Sequence, residues 1–268
     1  MRLSKAMSGE VLWAIVAPLL VGMVLLGVWE AACRVFQVPQ YLFPAPSAIV
    51  ASFQEYWPYL LKSLLVTVRV TLQAFALAVV IGTLGAFLFV QSRFAQVAFF
   101  PYVVLLQVTP IVAIAPLIII LVKSTSLSLV ICATIIGIFP VISNTIIGLR
   151  SVDPGLLSYF RMKKAGRLRT LVRLRIPSAL PFFLAGLRIS SGLSLIGAVV
   201  AEFVAGTGGR NSGLAYLILN AGFQLDIPLM FAALALIAAL GIAMFMSMTA
   251  LSQLVLGHWH ESALRETL

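Results

Sequence analysis

Few residues in this chain of 268 could carry out bond chemistry, and their spacing argues against most of it. His258 and His260 stand two apart beside Glu261 near the C-terminal end. Two imidazoles on one helical face would stand four apart, so this group reads as a solvated tail and not as a zinc site. Cys33 and Cys132 lie in or beside different apolar runs without a metal-ligating neighbour, and read as small apolar packers. The Gly-x-x-x-x-Gly-Lys-Ser/Thr phosphate loop is absent from the sequence. No catalytic residue, metal or cofactor is therefore assigned to this chain. The informative residues are polar groups inside apolar surroundings: Gln107, Thr109 and Pro110, then Ser143, Asn144 and Thr145, the charged Arg69, Arg188 and Glu202, and a basic stretch from Arg150 to Pro177.

The elements that must position them are set by hydrophobicity. The chain is 62% apolar and 10% charged, against about half and a quarter in soluble domains, and its mean hydropathy is +1.11. Long charge-free runs cover Val11–Trp29, Val70–Ser92, Phe94–Val122, Ser124–Leu149 and Ile227–Gly257, and a sixth, Ile176–Ala201, is interrupted only by Arg188. About 20 apolar residues cross a hydrocarbon core of roughly 30 Å, so the fold class is all-α integral membrane with about six transmembrane helices. Arg2 and Lys5 precede an apolar stretch in the manner of a signal peptide, but that stretch is too long and lacks a small-residue cleavage site, which marks a retained first helix. Glu30-Ala31-Ala32-Cys33 departs from a lipoprotein box at Glu30.

The net charge of +10 is unevenly placed. With a cytoplasmic N-terminus and six alternating spans, the inner segments hold Arg2, Lys5, Arg93, Arg150, Arg161, Lys163, Lys164, Arg167, Arg169, Arg173, Arg175 and Arg265. The outer segments hold Arg34, Lys62, Lys123 and Arg210. This excess satisfies the positive-inside bias, places both termini in the cytoplasm and explains the basicity without nucleic acid as a partner.

Pro39, Pro44 and Pro46 keep Val35–Gln54 from spanning, and Pro46 can open a short surface helix reaching about Tyr56. Span two should run from about Leu64 to Val90, with Gly82, Gly85 and Ala86 as a close-packing face. Pro101, Pro110 and Pro116 predict a kinked or partly unwound span three. Irregular backbone at membrane depth is tolerated where protein or a water-filled cavity covers it, so Gln107-Val108-Thr109-Pro110 is either a pathway segment or a packing kink. In span four, Pro140 precedes Ser143, Asn144 and Thr145, which serve as helix–helix glue or as ligand contacts. Glu202 lies about 21 residues beyond Pro181, roughly 31 Å along a helix. A carboxylate is costly in hydrocarbon, so this outer-mouth group should face water or a partner, as part of a gate or as a plain interfacial acid. Arg188 and Arg69 are expected to snorkel to the cytoplasmic and outer faces. No internal repeat or soluble domain is visible, and 1–268 reads as a single membrane domain.

The segment 150–177 is the cytoplasmic loop between spans four and five. Asp153 is suited to an N-cap and Pro154 to the first helical position, with a helix to about Lys164 ended by Gly166. Leu156, Leu157 and Phe160 form an apolar stripe beside Arg161 and Lys164. A second short amphipathic helix is predicted over Arg167–Arg175, up to Pro177 and Pro181. The first of these helices either rests on anionic headgroups or docks into a soluble partner.

Leu174-Arg-Ile-Pro-Ser-Ala-Leu-Pro-Phe-Phe-Leu-Ala-Gly-Leu-Arg-Ile189 resembles the end of the coupling segment of binding-protein-dependent ABC importer permeases. Gly197-Ala-Val-Val-Ala-Glu-Phe203, Ser212-Gly-Leu-Ala-Tyr216, Phe43-Pro-Ala-Pro-Ser-Ala-Ile-Val50 and Thr109-Pro-Ile-Val-Ala-Ile-Ala-Pro116 resemble the nitrate/taurine/sulfonate-type branch, in the same order. The likeness covers about 43–256. The chain departs from the family loop in one respect. The family glycine falls on Lys164, thirteen residues before Pro177, with Gly166 two residues late, and Ser158, Tyr159 and Phe160 replace Glu-Ala-Ala. Phe160-Arg161 is similar to the aromatic–Arg pair of a subgroup.

The resemblance implies a type I importer permease fold in a bacterial inner membrane. It implies a second permease copy, as a homodimer or a close pair, two cytoplasmic ATPase subunits holding ATP and magnesium, and an extracytoplasmic substrate-binding protein. Asp153, Leu156, Leu157, Phe160, Arg161, Lys164 and Gly166 would then serve ATPase coupling, and Gln107, Thr109, Pro110, Asn144 and Glu202 the pathway or its gate. Related permeases handle sulfonates, nitrate, pyrimidine or flavin-like compounds. The rival reading is an ATP-independent secondary transporter or channel, for which a midplane carboxylate and a repeat between halves would be expected.

Overall fold

The computed structural model describes residues 2–206 and 212–257. Among them every regular element is helical. The elements are α1 (Arg2–Val35), α2 (Pro46–Glu55), α3 (Trp57–Gln91), α4 (Arg93–Val108), α5 (Ile111–Val122), α6 (Thr125–Arg150), α7 (Pro154–Met162) and α8 (Arg167–Thr170). A π-helical stretch Leu171–Arg175 follows, then α9 (Ile176–Ala205), α10 (Leu214–Phe223) and α11 (Ile227–Leu256).

Helices long and apolar enough to cross a membrane occur at Val16–Val35, Trp57–Gln91, Thr125–Arg150, Arg167–Ala205 and Ile227–Leu256. The bent pair α4–α5 makes a sixth candidate. The expected kink of span three is a break, because α4 and α5 meet at 104°. Of the three prolines only Pro110 makes it. Thr109 is extended (φ −69°, ψ 123°), as the residue before a proline prefers, and Pro110 serves as the N-cap of α5. Pro101 and Pro116 lie inside α4 and α5.

The predicted second loop helix also differs. Residues 167–205 form one continuous helical run, with a five-residue π turn, Leu171–Arg175, just ahead of Pro177. The expected surface helix after Pro46 is present as α2.

The chain divides into two compact units, Met1–Leu61 with Leu217–Ala235, and Lys62–Tyr216 with Leu236–Leu268. In the first unit Trp29, Phe43 and Phe231 form an aromatic triad with ring centroids 5.1–5.9 Å apart. Cys33 is buried beside it, as its assignment to apolar packing requires. Ala45, the N-cap of α2, has no side-chain acceptor. Glu30 supplies one instead, accepting from the Ser47 N–H (3.0 Å) and Oγ (2.8 Å), while Arg34 pairs with it at 2.6 Å.

The second unit is built on the antiparallel pair α6 and α9, and small residues let the two backbones approach. A Cβ on Gly148 would stand 2.9 Å from the Ala179 backbone, one on Gly197 2.7 Å from Ala133, and one on Gly186 2.9 Å from the Pro140 carbonyl. The Gly137 position would collide with Ser194. In a lipid solvent, close backbone approach and interhelical hydrogen bonds replace the hydrophobic drive. Ser190 Oγ supplies one such bond, donating to the Gly137 carbonyl at 2.7 Å. From α3, Gly82 fits against Val141 (2.8 Å), which bears out the close-packing face expected of it. Val70, Ala74, Ile111, Ala115, Leu129 and Ala198 complete a core shared by α3, α5, α6 and α9.

Candidate functional site

Helix α7 begins as its sequence requires. Asp153 Oδ1 accepts from the N–H groups of Gly155 (2.7 Å) and Leu156 (3.0 Å), and Pro154 takes the first helical position, where no donor is needed. Its end differs from expectation. Gly166 is not the terminator but the N-cap of α8. The left-handed turn falls on Lys164, with φ +49°, and Ala165 N–H closes onto the Phe160 carbonyl at 3.0 Å. Lys164 stands where the resembling family has glycine, and the conformation found there is one that glycine adopts without a Cβ penalty.

The stripe on α7 is rotated from the one read in the sequence. Leu156, Tyr159 and Met162 are the exposed apolar residues (51%, 51% and 76%), whereas Leu157 and Phe160 are half-buried. The Lys163 ammonium lies 5.8 Å from the Tyr159 ring centre, joining a cation to the exposed row. Leu157 and Arg161 instead line a cleft of about 620 Å³ that also receives Arg167, Arg175 and, from the end of α3, Val90. Tyr159 and Met162 were missed as candidates. The signal was their i, i+3, i+6 spacing from Leu156.

Glu202 differs most from expectation. It is 3% exposed and does not face water. Thr67 Oγ1 donates to it (2.9 and 3.1 Å to the two carboxylate oxygens), and Ala215 N–H donates at 3.1 Å. Leu214 N–H donates to Thr67 Oγ1 at 2.9 Å. Glu202 and Thr67 thus satisfy the first two donors of α10, a helix absent from the sequence reading. This is where a carboxylate is stabilised by orphan N–H groups and the helix dipole. Thr67 was also missed, although Ser63, Thr67 and Thr71 recur at i, i+4, i+8 in an apolar run, and all three are buried.

The other pathway candidates lie apart. Gln107 is exposed at the end of α4, and Thr109 at the elbow returns its hydroxyl to the Leu105 carbonyl at 2.7 Å. Asn144 is half-buried against Gly186 and donates to the Pro140 carbonyl of its own helix at 2.9 Å. Arg69 is exposed, as snorkelling requires. Arg188 is half-buried: its guanidinium lies 5.6 Å from the Phe245 ring centre and its Nε is buried without a hydrogen-bond partner. His258, His260, Glu261, Arg265 and Arg210 lie outside the described residues. Among the described residues no group of three or more His, Cys, Asp or Glu stands close enough to hold a metal.

A family model described as "Binding-protein-dependent transport system inner membrane component" matches residues 78–257. A "Probable ABC transporter permease protein" of Haemophilus influenzae is 32% identical over 86% of this chain and 92% of its own length. "Formylaminopyrimidine transport permease protein ThiX" of Halalkalibacterium halodurans is 31% identical over 89% of this chain and 94% of its own. Among solved structures, "an amino acid ABC transporter with histidines" superposes with a TM-score of 0.61 at 20% identity, covering 76% of this chain and 96% of that one, a likeness of fold.

Proposed function

This chain belongs to the family of binding-protein-dependent transport system inner membrane components and is a multi-pass permease subunit of an ATP-driven importer, and we propose that two copies enclose a pathway driven through α7. ATP and magnesium act on separate ATPase subunits that grip the 153–175 loop, and an extracytoplasmic binding protein delivers a small solute. Family membership sets the secondary-transporter reading aside. Residues 1–268 work as one permease domain in this reading.

The observation that carries it is the exposed row Leu156, Tyr159 and Met162 on a well-capped helix within the basic loop. An apolar row of that kind, flanked by cations, suits insertion into a groove of a soluble partner. The charge asymmetry supports cytoplasmic termini in the inner membrane. It also favours a net crossing by the α4–α5 pair: a pair that returned to its side of origin would put Arg93 and the Arg150–Arg175 loop on opposite sides. Phe160 and Leu157 are half-buried, and Leu157 and Arg161 line the basic cleft beside α7. Gln107, Thr109 and Pro110 at the elbow, with Asn144, border the pathway, and Glu202 fixes the outer end by mooring α10.

ATP closure of the ATPases would supply the differential contacts that alternate access requires. The test is co-purification and solute uptake in proteoliposomes for Leu156→Asp and Phe160→Asp. Both variants should insert normally, lose the ATPase subunit and stop transporting. A complex that still forms and pumps overturns the coupling assignment.

A further inference from the structure

A second cleft, of about 520 Å³, opens where α3 ends, α4 begins and α6 ends. Arg93, the first residue of α4, and Arg150, the last of α6, both reach it, with Gln96 between them. Arg150 Nη2 donates to Gln96 Oε1 at 2.7 Å, which orients the guanidinium and leaves its other N–H groups for a ligand. No carboxylate lines the cleft. Among the described residues the ion pair found is Arg34–Glu30, far along the chain, and neither Arg93 nor Arg150 has an ion-pair partner among them.

The opposite wall is apolar. Phe89 is buried and meets Phe100 edge-on at 6.2 Å, and Pro101 continues that wall along α4. The exposed Phe94 and Val97 of α4 extend the surface outward from the cleft. The cleft therefore joins two guanidinium groups, placed where three apolar helices end, to an apolar trough running down one of those helices.

We propose that this cleft binds an anionic diacyl phospholipid, the two arginines holding the phosphate and the trough one acyl chain. Guanidinium groups match phosphate oxygens in bidentate geometry, and basic pockets between transmembrane helices suit anionic headgroups. A zwitterionic lipid is disfavoured because its ammonium would find no acceptor carboxylate in the cleft. A soluble partner is disfavoured because the lining continues along α4 beside the exposed apolar Phe94 and Val97, on a helix apolar enough to be part of a candidate span. The inference requires only that the chain spans a membrane, and it stands apart from the α7 coupling assignment.

The test is native mass spectrometry of the full-length permease complex, released from detergent doped with palmitoyl-oleoyl phosphatidylglycerol or phosphatidylcholine. The wild type should retain phosphatidylglycerol at least about tenfold better. Arg93→Gln with Arg150→Gln should reduce that ratio to near one, and Arg69→Gln should leave it unchanged. Equal retention of the two lipids by the wild type, or an unchanged ratio in the double variant, overturns the proposal. Binding of inorganic phosphate to the wild type with no lipid preference also overturns it, since the site would then take a free anion. So does loss of the ATPase subunit from the double variant with the lipid ratio intact, which would make the cleft a protein contact. A measurement independent of the variants uses the wild-type complex and phosphatidylglycerol carrying a diazirine on one acyl chain. Crosslinks should fall on residues 97–101, and labelling confined to other segments refutes the trough.

Discussion

Thr67 on α3 and Glu202 on α9, 135 residues apart in sequence, form a buried hydrogen-bonded pair whose remaining acceptors hold the first two N–H groups of α10. Glu30 treats α2 in the same way through Ser47. In both cases a long helix lends a carboxylate to the first turn of a short one.

Replacing Glu202 by Ala leaves the Thr67 hydroxyl and the Ala215 N–H buried without their acceptor, at about 1–3 kcal/mol for an orphaned buried group. Thermal unfolding in detergent should show a lower midpoint for Glu202→Ala than for Glu202→Gln, which keeps one carbonyl acceptor. Thr67→Val should fall between wild type and Glu202→Ala. Equal midpoints for Ala and Gln at position 202 would contradict the capping role.

The α6–α9 pair predicts an asymmetric response to added methyl groups. Gly148→Ala and Gly197→Ala place a Cβ within 2.9 and 2.7 Å of the facing backbone, so both should lower folded yield and melting temperature, in the range of overpacked cores, about 1–3 kcal/mol. Gly192→Ala meets nothing within 4 Å and should match the wild type or exceed it, because alanine is the better helix former. Size-exclusion profiles and melting curves of the three variants decide the matter.

Asp153 holds two N–H groups of α7, and its loss to alanine should cost about 1 kcal/mol of local stability. Amide exchange in 154–162 should accelerate several-fold, with exchange in α6 unchanged. Asp153→Asn should restore protection. Uniform acceleration throughout the chain would mean that Asp153 supports more than its own helix.

Lys164 is a non-glycine residue in the left-handed region. Lys164→Gly removes a Cβ penalty of about 1–2 kcal/mol, partly offset by glycine's greater freedom when unfolded. Slower exchange at the C-terminal end of α7 is expected, and Lys164→Val should do the reverse. If Lys164→Gly speeds exchange there, contacts of the lysine side chain outweigh its backbone cost.

The spans, the α2 start at Pro46 and the Asp153–Pro154 start of α7 were legible because their signals are local: apolar runs, a proline at a helix start, a capping aspartate. Helix α10 was not, since its acceptors come from Thr67 and Glu202, which no window around Leu214 contains. The environment of Glu202 was misjudged for the same reason, because desolvation was weighed without the donors that offset it. Pro101, Pro110 and Pro116 look alike in sequence. Only the surroundings select Pro110 as the break, and the run from Arg167 through Pro177 stays helical with a π turn ahead of Pro177. The exposed apolar row on α7 shares Leu156 with the stripe read in the sequence, but Tyr159 and Met162 stand in it in place of the half-buried Leu157 and Phe160.

The continuity of residues 167–205 has a mechanical meaning. A single helical run of 39 residues, roughly 58 Å at ~1.5 Å per residue, joins its arginine-rich foot to the Glu202 mooring near its tip, interrupted by one π turn. If the foot is driven as proposed, its motion would travel to the tip along this run, less what the five-residue π turn yields. Under the coupling proposed for the 153–175 loop, the compliance of Leu171–Arg175 would set how much of that motion reaches the Glu202 end.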